Sequence, residues 1–202
     1  MDTSHIDNLN ASDEATRLDA IRVLGEQRDA QVVDVLLPLL DDESPAIRRE
    51  TILALRRLND ERAFPAMIRT LADTDNSVRR RTSAWIMSMG HEPRLVAPLI
   101  DVLTDVNSRL PAREFAAMAL GNIGDPTAVE ALADVLLTAP DELKRRITHS
   151  LSMMPDPRAI PALSHMLTNE DIPTRKIAAK TLRKIGTPEA IAALESMGDA
   201  ES

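Results

Sequence analysis

The chain has no cysteine, no tyrosine, one Trp, two Phe and six Gly in 202 residues. Without cysteine it can form neither disulfides nor thiolate metal sites, and a reducing compartment fits. So few aromatics speak against strands, which favour aromatic and β-branched side chains. Six glycines supply no Gly-rich phosphate loop, and neither a Gly-x-Ser-x-Gly turn nor a cysteine nucleophile is present. No apolar run approaches the roughly 18 residues of a membrane span. Residues Met1 to Asn10 lack the basic-then-apolar pattern of a secretion signal. The expectation is a soluble, cytoplasmic protein with no membrane contact. What is there is helical in character: the 44% apolar share is nearly all Ala, Leu, Ile, Val and Met. The formal net charge of −8, taken globally, disfavours nucleic acid as a partner.

Self-similarity decides the fold. The segment from Arg113 to Leu132 recurs along the chain, anchored by a basic residue at Arg17, Arg48, Arg79, Arg113, Lys144 and Arg175, with spacings of 31, 31, 34, 31 and 31 residues. Three residues after each anchor stand Ala20, Thr51, Thr82, Ala116, Ile147 and Ala178. Seven after stand Leu24, Leu55, Ile86, Leu120, Leu151 and Leu182. Offsets of three and seven mark one face of a helix. A break follows, as in Gly124-Asp-Pro, Pro155-Asp-Pro and Gly186-Thr-Pro, where Asp or Thr caps a new helix and Pro opens it. The second helix carries its own stripe, for example Val129, Leu132 and Leu136. One such pair cannot bury both stripes alone, so neighbours must stack. The three extra residues between the third and fourth copies fall at Glu92 and within Thr104 to Leu110, in turns. The reading is an all-α, right-handed α-solenoid of about six two-helix repeats of 31 residues, with residues 1–12 a partly ordered N-terminal segment, 13–198 a single repeat domain and 199–202 a C-terminal tail.

The pattern Val-Arg-x-x-Ala-Ala-x-Ala-Leu-Gly-x-Ile-Gly-Asp-Pro-x-Ala-Val is matched best at Ala112 to Val129 and again at Ser77 to Val96 and Pro173 to Ile191. It resembles the short HEAT-like repeats of the phycobilin-lyase type, over roughly residues 13 to 198. The resemblance implies that the anchor-bearing helices line a concave face. For function it implies several things, since such repeats serve scaffolds, bilin lyases, chaperone-like proteins and an iron hydroxylase.

Charge is segregated between the two kinds of helix. The anchor-bearing stretches hold most of the Lys and Arg against only four acids, Asp19, Glu26, Glu50 and Glu114. The anchors Arg17, Arg48, Arg79, Arg113, Lys144 and Arg175 are read as a structural ladder between repeats: an anchor reaching a neighbouring acidic turn, as at Asp73 or Asp75 beside Arg79, gains charge-assisted hydrogen bonds. Other basic residues of these helices sit where the apolar stripe turns its neighbours toward solvent. One or two residues after an anchor these are Arg49, Arg80, Arg145, Arg146 and Lys176; later in the helix they are Arg56, His149, Lys180 and Arg183. Leu53, Ala84, Met87, Phe115 and Met118 lie in the same columns, giving an apolar middle inside a basic rim. Together these fourteen are the candidate partner-binding face, while Trp85 is assigned to the core.

No catalytic residue, metal ligand or cofactor emerges. The iron hydroxylase with this repeat carries His-Glu pairs on its inner helices; here the only such pair is His91-Glu92, in a turn, and the corresponding helix positions read Arg49-Glu50 and Arg80-Arg81. The leading expectation is therefore a non-enzymatic, monomeric scaffold binding an acidic protein partner on its basic concave face. The alternative implied by the resemblance is a lyase-like or chaperone-like protein handling a bilin, with arginines on the propionates and Met87, Phe115 and Met118 over the rings. Nucleic-acid backbone binding stands third, because stacking aromatics are scarce.

Overall fold

A computed structural model describes residues 4–27 and 29–198, and the segment 199–202 and residues 1–3 lie outside the described residues. Among the described residues there are helices and turns but no strand. The α-helices are α1 (Ser4–Asn8), α2 (Glu14–Gln27), α3 (Val33–Leu36), α4 (Pro45–Leu58), α5 (Phe64–Arg69), α6 (Asn76–Met89), α7 (Val96–Thr104), α8 (Leu110–Ile123), α9 (Val129–Thr138), α10 (Asp141–Met153), α11 (Ile160–His165), α12 (Ile172–Ile185) and α13 (Pro188–Gly198). The even-numbered helices from α2 to α12 carry the six anchors, and each is followed by a shorter second helix. The chain divides into two compact units, Met1–Met89 and Gly90–Ser202. Each is built as a stretch of α-solenoid. In the first, α2 packs on α4 and α4 on α6; in the second, α8 packs on α10 and α10 on α12, with α7, α9, α11 and α13 forming the other layer.

The local signals explain the boundaries. Ser44 caps α4 with its hydroxyl oxygen accepting from the backbone N–H of Ala46, and the Asp171 carboxylate accepts from Thr174 N–H at the start of α12. Helices α8 and α12 end on Gly124 and Gly186 at φ 75° and 66°, and α4 ends on Asn59 at φ 50°, the left-handed conformation that closes helix carbonyls and suits Gly and Asn. The second helices open differently from a plain helix start. Asp29, Asp60, Glu92, Asp125 and Asp156 each accept from the backbone N–H two residues on, which winds one turn of 3-10 helix before the α-helix begins.

The predicted apolar columns form the core. All six residues three after an anchor and all six residues seven after it are buried. Trp85 is 1% exposed and meets Phe64 edge-on at 5.3 Å between ring centroids and 67° between planes, a geometry that the ring quadrupoles favour. Buried hydroxyls are satisfied within the helices: Thr51 donates to the Ile47 carbonyl, Thr181 to that of Ile177, and Ser150 crosses to the Ala117 carbonyl at 2.7 Å, tying α10 to α8. Gly25 and Gly121 mark the closest crossings. A Cβ on Gly25 would lie 2.7 Å from Ala54 Cα, and one on Gly121 would lie 2.8 Å from Ser150 Cβ. By spacing alone both fall in the solvent-facing column eight after the anchor; the structure buries them because only a bare backbone lets the next helix approach so closely.

Candidate functional site

Arg48 shows what an anchor does. Its Nε and Nη2 donate to both carboxylate oxygens of Asp73 at 2.7 and 2.8 Å, while Nη1 donates to the Asp42 and Glu43 carbonyls at 2.7 and 3.1 Å. The residue is 8% exposed, and its bonds with Asp73 raise the guanidinium's pKa above the usual value. Arg17 likewise reaches the Asp42 carboxylate at 2.6 Å. Acid and anchor are 25 residues apart in both pairs, so the anchor pairs with the turn of the following repeat. Arg79 differs from the sequence reading: Asp73 is already held by Arg48, and Arg79 donates instead to the carbonyls of Asp73 and Thr74 at 2.8 Å. Arg175 caps the Asn169 and Glu170 carbonyls in the same way, and Arg113 donates to the Leu103 carbonyl. Among the described residues Lys144 pairs with Asp141 alone, three residues before it on its own helix. The position 25 residues beyond Arg113 is Thr138 and beyond Lys144 is Asn169, so the second unit offers these anchors no carboxylate there.

A second inter-repeat bond escaped the sequence reading. Arg62 clasps Asp60 and extends Nη2 to the Ala30 carbonyl at 2.8 Å; Arg158 clasps Asp156 and extends Nη2 to the Pro126 carbonyl at 2.8 Å. Both bonds span 32 residues, one in each unit. The signal for them is an acid-x-Arg triplet at the turn opening a second helix, Asp60-Glu-Arg62 and Asp156-Pro-Arg158, repeated at Glu92-Pro-Arg94.

None of the fourteen candidate face residues is buried. In the first unit Arg56, Arg80, Ala84 and Met87 are exposed and Arg49 and Leu53 half-buried; Met87 is 50% exposed. In the second, Arg145, His149, Lys176, Lys180 and Arg183 are exposed and Phe115, Met118 and Arg146 half-buried. Positive charge is not evenly spread. In the first unit Glu50 lies 3.8 Å from both Arg22 and Arg57, partly neutralising the face. Helix α12 carries Arg175, Lys176, Lys180, Arg183 and Lys184 with no acid. Beside it α10 carries Lys144, Arg145 and Arg146. Among the described residues Arg145, Arg146, Lys176, Lys180 and Arg183 make no ion pair. Arg145, Arg146, His149 and Ile177 line an open cleft of about 280 Å³ between these two helices. The acids to weigh against them are Asp141 and Glu142 in the first turn of α10, of which Asp141 pairs with Lys144, and Asp171, whose pKa Arg145 and Arg175 help to lower but whose first engagement is with the Thr174 hydroxyl and N–H, at 2.6 and 3.0 Å.

The model of HEAT repeats matches residues 5–88, 80–152 and 140–202. The chain belongs to the HEAT repeat family. No curated protein matches this HEAT repeat chain. Among solved structures it is similar to a designed armadillo repeat protein in complex with the peptide (KR)4, at 17% identity over 90% of this chain and 98% of that one, with a TM-score of 0.54. It is also similar to an engineered protein, at 24% identity over 96% of this chain and 60% of the other, with a TM-score of 0.53. The complex of CpcE and CpcF of phycocyanin lyase from Nostoc sp. PCC7120 matches at 25% identity over 94% and 78%, with a TM-score of 0.46. These likenesses concern the fold. Among the described residues no group of three His, Cys, Asp or Glu side chains is placed to hold a metal ion, and no helix is long and apolar enough to cross a membrane.

Proposed function

We propose that this HEAT repeat protein is a non-enzymatic interaction scaffold that holds an acidic protein segment against the solvent-facing side of its anchor helices. The observation that carries the reading is the run of unpaired positive charge on α10 and α12. Positive charge in the last turn of a helix, as at Arg183 and Lys184, is accounted for by the helix dipole. Arg145, Arg146 and Lys176 stand in the first half of their helices, where the dipole gives them nothing, and among the described residues no carboxylate pairs with them. Such a field steers an acidic partner in and fixes its orientation. Exposed Met153, 48% accessible at the end of α10, adds adaptable apolar contact on the same helix.

The test is fluorescence anisotropy with a labelled acidic peptide of Glu and Ala. Charge reversal at Arg80, Arg145 and Arg146 is expected to abolish binding, while Arg62→Glu, on the second-helix side, leaves affinity within about twofold provided the variant stays folded by circular dichroism. Unchanged binding by the triple variant would rule the face out. Tight binding of a single-stranded oligonucleotide in place of the peptide would assign the face to nucleic acid instead.

A further inference from the structure

We infer that the cleft between α10 and α12 is a receptor for one phosphorylated side chain, phosphoserine or phosphothreonine, borne on the acidic partner segment. The inference rests on the scaffold reading above and adds to it the chemistry of the anchoring residue. Arg145, Arg146 and His149 occupy one turn of α10 and all line the same cleft, with Ile177 of α12 opposite as an apolar wall. Two guanidiniums present about ten N–H donors in planar forks. A carboxylate brings one charge and two oxygens. A phosphate monoester brings a charge of about −1.5 to −2 and three acceptor oxygens, which is what paired arginines satisfy. Lys176 and Lys180, exposed on α12, extend the positive field along the adjoining helix.

Size narrows the occupant. Small-molecule pockets run from roughly 300 to 1,000 Å³, and a cleft of about 280 Å³ suits a single side chain rather than a four-ring chromophore. The chemistry of the wall narrows it again. Bases bind single-strand sites by stacking on aromatic rings, and the residues lining this cleft include Ile177 but no Phe or Trp. Its donors are also free to serve: among the described residues neither Arg145 nor Arg146 makes an ion pair, and Asp171, whose charge interacts with that of Arg145, is committed to capping α12.

The experiment uses the full chain and three labelled peptides of one Glu/Ala/Gly sequence, with serine, phosphoserine or glutamate at the centre, read by fluorescence anisotropy at low salt. The phosphoserine peptide is expected to bind at least about tenfold tighter than the glutamate peptide. The double variant Arg145→Lys, Arg146→Lys keeps the charge and loses the forks. In it the two affinities are expected to converge, with circular dichroism unchanged. Equal binding of the phosphoserine and glutamate peptides by the unaltered protein would overturn the receptor while leaving the acid-binding scaffold intact. Failure of all three peptides to bind would overturn both. A single-stranded oligonucleotide binding as tightly as the phosphopeptide would overturn the assignment to a protein-borne phosphate.

Discussion

Arg48, an anchor, and Arg80, the residue after the next anchor, lie in adjacent repeats, and their environments make opposite demands on stability. Arg48 is enclosed, holds both oxygens of Asp73 and caps two carbonyls of the turn before it. Its replacement by Ala leaves a mostly buried carboxylate and an uncapped turn, and removing one partner of such a pair costs about 3–5 kcal/mol. Urea denaturation of Arg48→Ala should show a loss of that size. Arg80→Ala, at an exposed site where the side chain makes no hydrogen bond or ion pair among the described residues, should stay within about 0.5 kcal/mol of the parent. The anchors themselves were visible in the sequence because they recur at a nearly fixed period. Their partners were not. Asp73 serves Arg48 rather than Arg79 because the side chain reaches across to the turn of the following repeat, and that direction is a property of stacked helices, not of spacing. Arg62 and Arg158 were overlooked for a similar reason: each reads as a local pair with its neighbouring Asp until the stacked repeat brings a carbonyl within 2.8 Å.

The helices were legible to a different degree in the two layers. Offsets of three and seven located every anchor helix, because one strong stripe over about four turns leaves little choice of register. The second helices are shorter, and prolines such as Pro38, Pro65 and Pro161 fall within or beside them; 3-10 turns adjoin the first five of the six. Gly25 and Gly121 share the column of exposed Arg56 and Arg183, and spacing cannot show how near the next helix comes to them. Gly25→Ala tests that contact. Helix propensity alone favours Ala by about 1 kcal/mol, but a methyl group 2.7 Å from the Ala54 backbone must push α2 and α4 apart. Overpacking of this kind costs about 1–3 kcal/mol, so a lower melting temperature is expected; a higher one would show that the helices separate freely. The acidic caps of the second helices set a pH dependence at the same scale. Asp60, Asp125 and Asp156 are held below the usual carboxylate range, chiefly by side-chain bonds with Arg62, Thr127 and Arg158, and Glu92 is lowered to about 2 by its bonds with Arg94. Groups lowered in the folded state contribute stability that is complete above their unfolded values near 4 and is lost as pH falls toward their folded ones. The urea midpoint should therefore hold steady from pH 7 to about 5 and decline between about 4 and 2.

For the molecule as a whole, the sequence separated two populations of charge, and among the described residues the basic side chains of the anchor helices other than Arg48 stay unburied. What spacing could not reveal is their unequal distribution. Glu50 draws on Arg22 and Arg57 in the first unit, whereas α12 has no acid at all and borders the cleft lined by Arg145, Arg146 and His149. A cleft depends on the gap between helices, which no period encodes. Recognition is therefore expected to centre on α10 and α12, and salt is the most direct probe of it. The affinity of the intact protein for the labelled Glu/Ala peptide should be measured as ionic strength rises from about 0.01 to 0.15 M, over which the screening length falls from about 30 to 8 Å. Progressive weakening by about tenfold or more is expected, with a much flatter dependence once Arg145 and Arg146 are reversed. Affinity that is independent of salt, or equally salt-dependent in that variant, would contradict it.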